Sequence, residues 1–127
     1  MRLMKIAAQV LVALVALEHA WFLVLEMFLW QKPIGLRTFR TTPEFAAASA
    51  ALAANQGLYN GFLAAGLVWG LLIQDPAQAF AVQTFFLACV VVAGVYGAYT
   101  VSRTILWGQA LPALIALALL WAPRLAA

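Results

Sequence analysis

The chain has 127 residues, 67% of them hydrophobic and 9% charged, with a formal charge of +3 and a mean hydropathy of +1.00. A soluble domain is about 45–50% apolar and about 25% charged, and so short a chain has too much surface to hide this much apolar material from water. These figures exclude a disordered chain, a disulfide scaffold, a nucleic-acid binder and an ordinary soluble enzyme, and they predict a single domain, residues 1–127, with lipid as its solvent.

A first helix is predicted over residues 4–30, behind Arg2 and Lys5. Its start resembles a signal peptide, but the apolar run continues to Trp30 and no good A-x-A site closes it, so a retained helix is expected. A loop over residues 31–42 carries Lys32, Pro33, Gly35, Arg37 and Arg40. The second helix, residues 43–73, opens with Thr42 as cap, Pro43 in the first turn and Glu44 at the positive end of the dipole. Gln74-Asp75-Pro76 forms a tight turn into a third helix over residues 77–101. The fourth helix spans residues 104–121, with Pro123 and Arg124 closing it.

Each helix exceeds the roughly 20 residues, or falls close to them, that a hydrocarbon core of about 30 Å requires. The predicted fold is all-α: a polytopic membrane protein built as an antiparallel four-transmembrane-helix bundle, placed in the bacterial inner membrane. Basic residues flank the apolar runs as anchors do, so the positive charge does not point to nucleic acid. They do not decide the orientation. Cys89 lies in an apolar run and reads as a small core residue. Gly57, Gly61, Gly66 and Gly70 of the second helix, and Gly94 and Gly97 of the third, mark faces where helices approach closely.

Glu18, His19 and Glu26 lie inside the first apolar run. An ionisable group near the bilayer centre costs about 2.5–3.5 kcal/mol on insertion scales, so a partner or a function is implied. At about 100° per residue, Glu18, Phe22, Glu26, His19 and Trp30 share an arc of roughly 120°. On the second helix Asn55, Gln56, Tyr59 and Asn60 share another arc, and Gly57 and Gly61 lie away from it. The expectation is that this polar face meets the level of Glu18 and His19, because lipid offers no hydrogen bonds. Near the other membrane face, Arg103 and Gln109 come level with Glu26, which makes a Glu26–Arg103 pair geometrically reasonable. Pro112 frees the Gly108 carbonyl as a further acceptor. Gln83 lies apart from this group.

The leading functional expectation is a pocket for a hydrophobic small molecule, drawn from membrane lipid or resembling it. Glu18 and His19 would serve as acid–base groups and Glu26 as charge stabiliser or second base. Asn55, Gln56, Tyr59, Asn60, Arg103, Gln109 and Trp30 would bind and orient the substrate. Isomerisation, epimerisation or epoxide opening would suit this set. The bland alternative is interhelical glue, which averages only about 0.6 kcal/mol per polar bond in membranes. A metal is not expected, since a carboxylate-bridged site needs Glu-x-x-His on two helices and the chain has one His. No cofactor fingerprint is present. Two other classes stay open: a proton-coupled transporter working as a homodimer, and an accessory membrane subunit.

The run Leu17-Glu18-His19-Ala20-Trp21-Phe22-Leu23-Val24-Leu25-Glu26-Met27-Phe28-Leu29-Trp30 resembles the first helix of DUF1304, a family of small four-span membrane proteins. Asn55-Gln56-Gly57-Leu58-Tyr59-Asn60-Gly61-Phe62-Leu63-Ala64 resembles its second helix, and Gln109-Ala110-Leu111-Pro112-Ala113 its fourth. The resemblance covers nearly the whole chain. It implies a four-helix membrane fold and no particular activity. A carboxylate at Glu18 in the first helix of a four-span chain is also similar, in general plan only, to small multidrug exporters, whose motifs around that Glu are not matched here.

Overall fold

A computed structural model describes residues 1–127 and is helical throughout. Helix α1 spans Arg2–Met27, α2 Pro33–Thr38, α3 Pro43–Leu72, α4 Pro76–Thr100 and α5 Leu111–Leu125, with a π-helical segment at Leu106–Ala110 leading into α5. Three of these are long and apolar enough to cross a membrane: α1, α4 and the continuous helix Leu106–Leu125. Helix α3 has 30 residues, length enough for about 45 Å. Asn55, Gln56, Tyr59 and Asn60 dilute the hydropathy of its middle.

The helix ends follow local chemistry. Thr42 accepts a hydrogen bond from the Phe45 amide at 3.2 Å and so caps α3 ahead of Pro43. Asp75 caps α4 by accepting from Ala77 and Gln78 at 2.8 and 3.1 Å. The predicted loop after α1 is partly helical, because Pro33 starts α2. That short helix ends on Arg40 in the left-handed region (φ 52°). The Arg40 amide bonds the Arg37 carbonyl and the Thr41 amide bonds the Leu36 carbonyl, the paired pattern of a Schellman stop. Pro123 does not close the last helix, which runs on to Leu125 with Pro123 inside it. The π-helical segment immediately precedes Pro112, whose missing N–H breaks the ordinary ladder. There the Leu111 amide bonds the Leu106 carbonyl instead.

The chain forms two compact units. In residues 17–64, α3 turns its glycines to the second half of α1. A Cβ at Gly57 would lie 2.8 Å from Met27 Cγ and 3.0 Å from Glu26 Cβ, and one at Gly61 would lie 2.5 Å from Leu23 Cδ1. In the unit made of residues 1–16 and 65–127, α4 packs on the π-helical segment and α5. A Cβ at Gly94 would lie 2.6 Å from the Ala110 backbone nitrogen. Small residues therefore fill much of the interior, with Ala8, Ala46, Ala113 and Ala116 fully or almost fully buried. Leu52, Phe62, Phe85 and Val92 are exposed. This is the distribution that lipid permits, since close backbone approach replaces the hydrophobic effect as the packing force.

Because Gly94 faces backbone while Gly108 has open space around it, Gly94→Val is expected to cost about 1–3 kcal/mol through overpacking. Gly108→Ala should leave stability nearly unchanged. Thermal unfolding of both variants in mild detergent checks the contrast.

Candidate functional site

The buried face of α1 carries ionisable groups. His19 is fully buried and Glu26 is 3% exposed. Glu18 sits at the edge of that face with 30% of its side chain exposed. The three therefore share the arc that the wheel gives, with His19 and Glu26 at its centre.

Glu26 is held from α3. Asn60 Nδ2 donates to Glu26 Oε1 at 2.5 Å, and this bond is buried. The reason lies in the glycines. Gly57 and Gly61 bring the two helices close, and Asn60, one residue before Gly61, turns far enough inward to reach the carboxylate. The bond links positions 34 apart in sequence. A bond of this kind is worth about 0.5–1.5 kcal/mol to a neutral carboxyl and about 1.5–3 kcal/mol to an ionised one.

The expected polar face of α3 is corrected. Asn55, Gln56 and Tyr59 are exposed, Tyr59 by 61%, and do not gather around Glu18 and His19. The glycine face packs inward instead, since only residues without side chains allow that approach. Tyr59 contacts Phe62 on its own helix, with ring centroids 5.9 Å apart. Of the four polar residues, Asn60 alone is buried.

Glu18 and His19 form a second small group. Glu18 Oε1 is buried, accepts no hydrogen bond and lies 3.9 Å from His19 Nδ1. The His19 ring packs edge-on against Phe22 at 5.3 Å. Adjacent residues on a helix do not face each other, which explains why this pair is long.

Beyond α1, Trp30 Nε1 donates to Ser49 Oγ at 3.1 Å, and its ring lies 4.8 Å from Phe39. A cleft of about 330 Å³ opens beside it, lined by Glu26, Met27, Phe28, Trp30, Gln31, Lys32 and Ala50. Glu26 is thus both buried and part of a cleft wall. Glu18, His19 and Tyr59 do not line this cleft.

Arg103 is exposed on the turn after α4, and Gln109 is half-buried on the π-helical segment. No cluster of three or more His, Cys, Asp or Glu side chains with metal-holding geometry occurs. The sequence reading did not single out Ser49. It also missed a reciprocal amide pair, in which Gln9 and Gln83 exchange hydrogen bonds of 3.1 Å in both directions while Gln83 also donates to the Gly70 carbonyl at 2.9 Å. A glutamine on each of two apolar helices was the available signal.

The fold and this site define an all-helical chain with three helices long and apolar enough to span a membrane and a carboxyl–amide pair buried between two helices. The chain belongs to DUF1304, a family described as protein of unknown function, which it matches over residues 13–121. No curated protein and no solved structure matches it.

Removing Asn60 alone should strand the Glu26 carboxyl. Asn60→Leu is expected to destabilise by about 1–3 kcal/mol, whereas the double variant Glu26→Leu with Asn60→Leu should recover much of that loss. Glu26→Gln keeps a hydrogen-bond acceptor and should fall closest to the native protein. A double-mutant cycle on unfolding in detergent measures the coupling.

Proposed function

We propose that the protein is an integral membrane protein in which the four long helices cross as antiparallel spans. We further propose that it binds a hydrophobic small molecule in the Glu26 cleft and moves a proton on it. The observation that carries this reading is Glu26 itself: a buried carboxyl, oriented by Asn60, that also lines a cleft.

The chemistry follows from the lining. Asn60 holds Oε1, and in this reading Oε2 is the atom that meets the ligand. The cleft's surface is mostly polar, with Glu26, Gln31 and Lys32 among its lining, and Met27, Phe28 and Trp30 add a smaller apolar part. A molecule whose polar head enters the cleft while its apolar body stays outside, toward exposed Phe28, would match that lining. Glu26 would take a proton from one position of the bound molecule and return it at another, an isomerisation or epimerisation with no net gain or loss of atoms. Proton transfer by a positioned side chain typically supplies 10²–10⁴-fold in rate. Such a role departs from the sequence expectation, in which Glu18 and His19 led. Here His19 would be a buried neighbour along α1, about two turns away.

We also propose the bacterial inner membrane as the location, a reading that helical spans support. Spanning proteins of the bacterial outer membrane are barrels, so helical spans suit the inner membrane. Helix α3 would then carry Asn55, Gln56 and Tyr59 on an exposed face at membrane depth, where unpaired polar groups are costly. That observation favours a second reading, a proton-coupled transporter working as a homodimer whose partner covers this face.

The reading is tested on the lipid extract of the expressing cells, incubated with protein in nanodiscs and compared before and after by mass spectrometry. The native protein should retain a hydrophobic species and deplete it in favour of an isomer of equal mass. Glu26→Gln should retain it and convert at least about 10²-fold more slowly. Identical product profiles from both proteins would refute the role of Glu26. Proton-driven uptake of solute by proteoliposomes, with no isomer formed, would favour the transporter.

A further inference from the structure

A separate cleft of about 540 Å³ lies within the unit formed by residues 1–16 and 65–127. Its volume is in the range of small-molecule sites, about 300–1,000 Å³. Its walls are mainly apolar, with Leu71, Ala79, Phe80 and Leu119 among them. Three cationic side chains line it: Arg2, Lys5 and Arg124. No Asp or Glu lines it. The Glu18–His19 contact involves none of these three side chains. Asp75, next to the lining residues Gln74 and Pro76, is occupied in capping α4.

Basic residues at helix ends ordinarily serve as anchors at the headgroup level. Two features distinguish this group. The Arg124 guanidinium is held over the Phe80 ring, 3.7 Å from its centroid, and Phe80 packs against Trp121 at 4.9 Å. Gln83, 2% exposed, has its carbonyl and both amide hydrogens engaged by Gln9 and Gly70. This fixes Gln9 at the cleft with one amide hydrogen still available, since a glutamine amide has two.

We propose that this cleft binds an anionic amphiphile. A hydrocarbon tail lies along Leu71, Ala79, Phe80 and Leu119, and a carboxylate or phosphate head meets Arg2, Lys5 and Arg124, with Gln9 as a further donor. Uncompensated cations converging on an apolar cleft select a ligand that is negative at one end and greasy at the other. Basic pockets between membrane helices recognise acidic headgroups on the same principle. The site is independent of the Glu26 cleft, so either can fail without the other.

Trp121 supplies the readout. The protein is placed in phosphatidylcholine nanodiscs and titrated with dibromostearate, whose bromines quench tryptophan. The signal of interest is the part lost in Trp121→Phe. Saturable quenching is expected, at least about tenfold weaker for the uncharged methyl ester of the same probe and for Lys5→Gln with Arg124→Gln. Ala79→Phe fills the wall and leaves the cations in place, and it should weaken binding to a similar degree. Arg103→Gln, outside the cleft, should change nothing. Displacement by phosphatidylglycerol would identify a bilayer lipid as the source of the head, and its failure would identify a free carboxylate; either fits the proposal. Equal quenching by acid and ester, or native affinity in the neutralised variant, would overturn it.

Discussion

A hydrocarbon solvent donates and accepts no hydrogen bonds, so every polar side chain on a spanning helix must find its partner inside the protein. The chain meets that requirement in part, with a few bonds between sequence-distant positions, while Glu18 Oε1 and Thr84 Oγ1 are buried without one and Asn55, Gln56 and Tyr59 stay exposed. Glu26 is met by Asn60, and Gln9 by Gln83 and through it the Gly70 carbonyl. Trp30 is met by Ser49, just beyond the end of α1. Since lipid cannot distinguish one apolar face from another, these bonds do much to fix which face of α1 meets which neighbour. Glycine and alanine at the contacts let the helices come close enough to make them.

Within residues 17–64 the two effects are joined. Gly57 and Gly61 remove the side chains that would separate α3 from α1, and Asn60 then reaches a carboxyl that would otherwise be buried alone. Packing and chemistry therefore share one surface. The carboxyl that the packing buries is also the one that a cleft touches. A side chain kept there for packing alone would be better replaced by an apolar one, because a well-packed hydrophobic pair is often as stable as a buried polar pair.

The wheel on α1 was legible because its polar residues are few and its apolar residues many, so Glu26 and His19 stand out on the face that proves buried. The capping sequence Thr42-Pro43-Glu44 and the turn at Asp75-Pro76 set two helix starts to within a residue. On α3 the same method chose the wrong face. Four polar residues suggested an inward amide face, while two glycines on another face suggested close approach, and periodicity alone does not rank the two. Distance ranks them: helices meet first where side chains are smallest, which leaves Asn55, Gln56 and Tyr59 outside. The short helix at Pro33, the π-helical segment before Pro112 and the extension past Pro123 were not legible either. Each depends on how a proline is accommodated by its neighbours rather than on its presence.

Glu26 is a buried carboxyl bonded by Asn60, and the central proposal is that this pair lies within the membrane. Solid-state NMR in lipid bilayers tests it most directly, through the dipolar coupling between the ¹³C-labelled Glu26 carboxyl and the ¹⁵N-labelled Asn60 side-chain amide. A strong coupling that disappears in Asn60→Leu, with no transfer from lipid acyl protons to the Asn60 amide, is the predicted result. An Asn60 amide in contact with acyl chains and uncoupled from Glu26 would contradict it.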